Sequence, residues 1–396
     1  MNIVIATPAL LSPGNPFYHL FRDILESFLK EGHHITRLAT RTGTADNNFT
    51  LGIDSPGIRY ILFKRSERSK KSIIMRYLSD TLIQIQMAVR ILALGGIDAM
   101  FEDVSYSSFW SVMAAKLRGL KIVSMVQDVW PDNAVQSGLL GGKSFIRKYF
   151  EARQRYVYRN SHRIICISED IKTFLASKGT EEKKISVVYN WGYSEDIVDI
   201  PWEQNEFVRK FQLDKHFFYA VYAGNIGWMQ NLDILVEASR ILKNNHDVHF
   251  LIVGDGARRE DIQKMIQSYA LGNITLLPMQ PSALAVHIYS AAGVNIIPLI
   301  PGAIKTALPS KTGICLSCGK PVIVCADPDS HFCRLIKSSQ AGQVLSASDP
   351  KALAQAILEC SKEGNTSCPG AYRCYKTWFT PGNALQYARI LGEMAQ

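Results

Sequence analysis

The chain has 396 residues, of which 47% are hydrophobic, 20% charged and 10% aromatic. That balance excludes a disordered, fibrous or disulfide-scaffold protein, and the length suits two domains, each able to bury its own core. Forty-four Lys and Arg against 35 Asp and Glu give a net charge of +9, which favours anionic partners without naming one. Seven of the eight cysteines lie after position 300, a spread that fits reduced cytosolic thiols better than an oxidised framework.

The N-terminal run Met1-Asn2-Ile3-Val4-Ile5-Ala6 has no Lys or Arg ahead of its apolar residues, so it reads as a first buried strand rather than a signal peptide. No window reaches the roughly 18 uninterrupted apolar residues of a membrane span. The richest stretch, Ile73 to Leu94, is broken by Arg76, Asp80 and Arg90. Any membrane role is therefore expected at the surface.

Further along, short runs rich in Val and Ile alternate with amphipathic patterns. Strands are expected at Asn2–Ala6, His34–Ala39, Ala99–Phe101, Lys121–Val126, Arg163–Ile167 and Ile185–Tyr189. A second series is expected at Phe218–Ala223, Val248–Val253, Ile274–Leu277, Val294–Ile297, Pro321–Val324 and Gln343–Leu345. Helical spacing occupies Tyr18–Glu31, Ile73–Ala93, Ser108–Arg118, Leu232–Lys243, Arg258–Ala270 and, at the tail, Asn383–Ala395. Apolar strands without polar alternation, each followed by a helix, describe parallel sheets covered on both faces. Trp191–Glu206, with Pro201, two Trp and five acidic residues, separates the two series as a linker. The expectation is two doubly wound, Rossmann-like α/β domains, residues 1–200 and 201–380, facing a central cleft at the carboxyl ends of their strands.

Two stretches concentrate positive charge: Arg59, Lys64, Arg65, Arg68, Lys70, Lys71 and Arg76 before the Ile73–Ala93 helix, and Lys143 to Arg163. The first, residues 59–76, can dock on an anionic membrane at roughly 1 kcal/mol per cation; a solvated surface is the alternative. No basic or aromatic nucleic-acid module is present.

Residues suited to chemistry cluster after strands. Val221-Tyr222-Ala223-Gly224-Asn225-Ile226-Gly227 and Val253-Gly254-Asp255-Gly256 each end a strand in a glycine turn ahead of a helix. Such turns let backbone amides approach a diphosphate, with a helix amino end behind them; steric need for a tight turn is the plain alternative. Leu308-Pro309-Ser310-Lys311 adds a hydroxyl and an ammonium for phosphate oxygens. In the first half, Pro13-Gly14-Asn15-Pro16 follows strand one, and Gln127-Asp128-Val129-Trp130-Pro131-Asp132 follows another strand with carboxylates and an aromatic suited to sugar. Asp132 can equally cap the next helix. Asp327-Pro328-Asp329 and Cys315-x-x-Cys318 resemble metal ligands, but they lack companions at ligand spacing and fit core packing better.

Taken in order, Glu31-Gly32-His33-His34-Ile35-Thr36, Gln127 to Asp132, Ile165-Cys166-Ile167-Ser168, Tyr189-Asn190-Trp191, Tyr222 to Gly227, Gly254-Asp255-Gly256, Pro309-Ser310-Lys311 and Gly319-Lys320-Pro321-Val322-Ile323 resemble the retaining glycosyltransferases of family 4 with the GT-B fold. The similarity is greatest to the bacterial branch that builds colanic acid, O-antigen and capsule. The resemblance implies that the second domain binds a nucleotide diphosphate-sugar, in all expectation a UDP-sugar. The first domain would bind a lipid-linked saccharide acceptor, with the last helix, 383–395, crossing back to it. It implies transfer with retention and no bound metal or cofactor, at the inner face of the plasma membrane.

Carried over residue by residue, Gly14, Gly224, Asn225, Gly227, Gly254, Asp255, Met279, Ser310 and Lys311 would hold the nucleotide-sugar. Lys311 and Asp128 would serve catalysis, and Asn15, Trp130 and Asp132 the acceptor. Two glutamates common in the family correspond to Thr306 and Ile314, so the ribose or sugar hydroxyl contact they make is missing here or supplied elsewhere. The competing readings are a nucleotide-sugar epimerase of the same architecture and a non-catalytic paralogue that supports a partner transferase.

Overall fold

The computed structural model describes residues 1–7, 17–41, 55–64, 73–141 and 144–394. They fall into two compact units. One holds Met1–Val135, Leu139–Val188 and the chain from Gly382 onward; the other holds Tyr189–Pro381 together with Gln136–Gly138.

The first unit runs β1 (Asn2–Ala6), α1 (Tyr18–Lys30), β2 (His34–Arg41), β3 (Ile58–Lys64), α2 (Ile73–Ala93), β4 (Ala99–Asp103), α3 (Phe109–Leu117), β5 (Lys121–Val126), α4 (Asp132–Gln136), α5 (Phe145–Asn160), β6 (Arg163–Cys166), α6 (Glu169–Ser177) and β7 (Ile185–Val187). Its seven strands are parallel in the order β3-β2-β1-β4-β5-β6-β7. Strand order therefore reverses beside β1, and the connections leaving β1 and β4 diverge at the carboxyl edge, where doubly wound sheets form their crevice. Local chemistry starts the helices. The Ser168 hydroxyl accepts from the Ile171 N–H and Glu169 and Asp170 follow in the first turn, so α6 begins with both a cap and favourable charge.

The second unit runs α7 (Glu206–Phe211), β8 (Phe218–Ala223), α8 (Asp233–Ile241), β9 (Val248–Val253), α9 (Arg259–Ser268), β10 (Ile274–Leu277), α10 (Ala285–Ser290), β11 (Val294–Pro298), α11 (Thr312–Ser317), β12 (Val322–Ala326), α12 (His331–Ser338), β13 (Gly342–Ser346), α13 (Pro350–Glu363) and α14 (Pro369–Trp378). Its parallel order is β10-β9-β8-β11-β12-β13, with the reversal between β8 and β11. Every residue of β8 and of β11 is buried, as strands covered on both faces require. Asp349 caps α13 through the Ala352 N–H, Pro350 occupies its first position, and Gly364 follows its last turn at φ +78°. The final helix, α15 (Ala384–Glu393), belongs to the first unit. There Tyr387 meets Phe101 of β4 edge-on at 6.1 Å, and Phe101 meets Phe28 of α1 at 5.4 Å.

Three features differ from the sequence reading. β3 was not expected: it is an edge strand with no fully buried residue, and its cations Arg59 and Lys64 are exposed. β4 continues past Phe101 through Glu102 and Asp103. Trp191–Glu206 is not a free linker, because Trp191 is buried and the Val198 N–H donates to the Ser317 carbonyl. Of the basic stretch 59–76, residues 65–72 lie outside the described residues. Among the described residues no helix is long and apolar enough to cross a membrane.

Candidate functional site

In the second unit the two glycine turns are built into each other. The Gly224 N–H donates to the Val253 carbonyl, the Ile226 N–H to the Asp255 carbonyl, and the Arg258 N–H back to the Ile226 carbonyl. A Cβ on Gly254 would fall 1.9 Å from the Gly224 oxygen, and one on Gly256 would fall 2.4 Å from the Ile226 oxygen. These two glycines are therefore required by the neighbouring turn, which is the steric alternative weighed above. Gly224 is different: at φ +142° its missing side chain faces the Lys311 ammonium, 3.6 Å away. Asp255 ties the pair through its carbonyl and through Oδ1, which accepts from the Gly256 N–H.

The helix expected from Leu232 begins there, with Leu232 as its N-cap. Five residues separate Gly227 from α8, whose first turn holds Asp233 in a bidentate pair with Arg258. The helix end thus already faces a carboxylate, and the Gly224 and Ile226 amides are taken by carbonyls, so the cationic and donor capacity at this turn comes from Lys311 and the amides of Asn225 and Gly227.

Lys311 precedes α11, and its Nζ lies 3.3 Å from the Ala223 carbonyl oxygen and 3.4 Å from the centre of the Tyr222 ring. Tyr289 donates to the same carbonyl at 2.9 Å. No carboxylate pairs with this ammonium among the described residues, and burial pushes its pKa down to about 7, with the Cys315 thiol opposing. A cation at the carboxyl end of a central strand without a counter-ion is suited to an incoming anion. Asn225 and Ser310 are exposed, Gly227 is buried, and Met279 stands 51% exposed in the loop after β10. The Leu277 carbonyl at the end of β10 accepts from the Gly254 N–H and from Arg259, which also donates to the Gly254 carbonyl. Arg259 braces the turn from behind, a role without a sequence signal. Thr306 and Ile314, at the positions of the two family glutamates, are both buried.

In the first unit Gly14 and Asn15 lie outside the described residues. Asp128 is open to solvent, yet the protein packed around it pushes its pKa up to about 6. Its charge acts on Asp103, at the end of β4, which burial also raises to about 6 while Thr7 donates to it at 3.1 Å and the Arg37 guanidinium pulls the other way. Arg37, on β2, is 1% exposed; it lies 5.5 Å from the Phe21 ring, and both its terminal nitrogens lack hydrogen-bond partners among the described residues. Glu102 beside them is wholly buried; burial raises it to about 8, although Ser111 donates to Oε2 at 2.8 Å. These acids were missed by ending the strand at Phe101; the Glu-Asp pair directly after an apolar run was the available signal.

Trp130 and Asp132 are not free to meet a sugar as expected. The Trp130 ring packs between Tyr106 and Phe150, at 5.6 and 5.5 Å. Asp132, 8% exposed, receives Lys178 at 2.5 Å and Arg147 at 3.8 Å while opening α4. Its carboxylate is an ion-pair node at a helix start, closer to the capping alternative than to a sugar ligand. Cys315, Cys318, Cys325 and Cys333 are buried and unbridged.

Residues 20–191 match the model described as Glycosyltransferase Family 4, and residues 218–363 match that described as Glycosyl transferases group 1. WbjE of Pseudomonas aeruginosa, which bears a glycosyltransferase name, is 23% identical over 255 residues, 64% of this chain and 63% of its own. WcaI of Escherichia coli K12, named for colanic acid biosynthesis, is 25% identical over 229 residues, 57% of this chain and 56% of its own. The matched region spans less than two thirds of either relative. Anabaena HepE, solved with UDP and glucose, superposes with a TM-score of 0.72 at 15% identity over 100% of this chain and 99% of its own, which shows the shared GT-B fold. With one model on each of its two parallel-sheet units, the chain belongs to the glycosyltransferases of family 4.

Proposed function

We propose that this protein transfers a sugar, with retention and without a bound metal, from a UDP-sugar to a lipid-linked saccharide during bacterial surface polysaccharide synthesis. The observation that carries the reading is the Lys311 ammonium, lodged without a carboxylate partner against the Gly224 turn at the end of β8. The diphosphate of the donor gains charge as the sugar leaves, and a preorganised cation with turn amides stabilises that charge most where water is excluded. UDP is favoured because HepE, of the same fold, was solved with it; a polysaccharide acceptor is favoured by the name of WcaI.

Work at an anionic membrane face is supported by exposed apolar side chains on α2, Leu78, Leu82, Val89 and Leu92, and on α5, Phe145 and Ile146, with cations around them. The test is a thermal-shift panel of UDP, GDP and their sugars. A ligand at 100 times its dissociation constant adds ~2.7 kcal/mol of stability. UDP is expected to stabilise the wild-type chain and not the Lys311→Met variant; no response to any nucleotide, or an equal response in both, refutes the reading. Product anomer analysis and turnover in EDTA check retention and metal independence.

A further inference from the structure

The first unit contains a cavity of about 450 Å³, whereas the Lys311 turn belongs to the second unit. It is bounded by Trp130 and Asp132 after β5, by one face of α5, and by the Lys178-Gly179-Thr180 turn after α6. Its volume is that of a small-molecule site.

The charges around it are unevenly matched. Arg147 pairs with Glu151 at 2.8 Å and approaches Asp132, Lys178 pairs with Asp132, and Lys184 pairs with Glu181 at 3.1 Å. Those contacts use every acid in the lining. Arg155 and Arg159 remain, and neither makes a hydrogen bond or ion pair among the described residues. They stand four apart on α5, so the fold keeps two like charges adjacent on one helix face where an acid would have been stabilising. The other unused capacity in the lining is also of donor type. Among the described residues Trp130 Nε1 is buried without an acceptor, and Tyr158, 7% exposed, accepts from Gln154 at 2.7 Å and has no acceptor for its own proton. A cavity with spare donors, two free guanidinium forks and no spare acid selects a multiply charged oxyanion.

We propose that this cavity is a second anion site, distinct from the Lys311 turn, and that it takes a diphosphate group held by Arg155 and Arg159. The diphosphate can come from a soluble metabolite or from the head of a prenyl-linked saccharide. The inference stands whether or not UDP binds at Lys311.

Calorimetric titration of the Lys311→Met chain with inorganic pyrophosphate removes the other anion site from the measurement. Binding is expected, weakened roughly tenfold by Arg155→Gln or Arg159→Gln alone and about a hundredfold by both, since a charge-assisted bond is typically worth a factor of ten or more. Both positions are exposed on a helix and Gln favours helix, and circular dichroism checks that the fold is kept. The Arg155→Lys, Arg159→Lys double variant keeps the charge and is expected to retain part of the affinity.

Farnesyl diphosphate in neutral detergent micelles separates the sources. Affinity tenfold above that of pyrophosphate with the same arginine dependence assigns the group to a lipid, and equal affinity assigns it to a soluble ligand. No binding of either probe, or binding unchanged in the double Gln variant, overturns the proposal. So does arginine-dependent binding to phosphatidylserine vesicles without pyrophosphate binding, which would make this face a bilayer contact.

Discussion

Lys311→Met keeps the aliphatic reach of the side chain and deletes its ammonium. That ammonium is held by a carbonyl and an aromatic ring, and burial lowers its pKa to about 7. A diphosphate restores the charged form, so above pH 7 binding must draw a proton from solvent. UDP affinity is then expected to fall about tenfold per pH unit above 7, until the bound-state pKa is passed. Calorimetry at pH 8 in two buffers of different ionisation enthalpy should show uptake approaching one proton per UDP.

Stability carries the opposite signature. The folded pKa is lowered, so between pH 7 and about 10.5 the unfolded chain holds a proton that the native chain lacks, and stability of the empty protein rises through that window. Lys311→Met should abolish both dependences and leave the melting temperature at neutral pH equal to or above wild type. It should lower kcat/KM about a hundredfold, the ~3 kcal/mol expected for one stabilising donor. A variant within fivefold of wild type, or UDP affinity flat from pH 7 to 9, would refute the argument.

Gly254→Ala should cost at least ~3 kcal/mol and abolish the response to nucleotide, because its Cβ meets backbone rather than a movable side chain; a thermal melt with and without UDP reads both. Glu102→Gln should stabilise the protein at pH 9 by ~1–3 kcal/mol and leave it little changed at pH 4. The folded pKa of Glu102 is raised to about 8, so the native state favours the protonated acid, and the stability it contributes is lost as pH rises through 8. Urea midpoints at the two pH values give the answer. Asp132→Asn should destabilise by ~1–2 kcal/mol, discounted for the partial exposure of its cations, without altering the UDP shift.

The strands covered on both faces were legible because burial leaves a run such as Phe218–Ala223 no polar position to interrupt it. β3 was not, since an edge strand needs only one covered face and its outward cations read as a charged loop. The glycine turns could be located from sequence, but a glycine that spares room for a ligand and one that spares room for another turn look identical there. Only the 1.9 Å approach to the Gly224 oxygen places Gly254 in the second class. Lys311 was readable as a cation near a helix start; its want of a counter-ion was not. Trp130 and Asp132 looked available because their partners Phe150 and Arg147 come from α5 and Lys178 from the turn after α6, at sequence distances that leave no local trace.

The return of α15 to the first unit has a consequence for biosynthesis. Tyr387 and Leu391 are fully enclosed beside residues contributed by β4 and α1, so the earlier unit is completed by residues that follow the whole of the later one. The later half, contiguous from Tyr189 to Pro381 apart from Gln136–Gly138, can close while its predecessor still waits on the ribosome with an uncovered apolar face. A nascent chain stalled before position 384 would expose that face to chaperones, and a shortened transcript would be cleared by proteolysis even though every residue of the donor turn had been made.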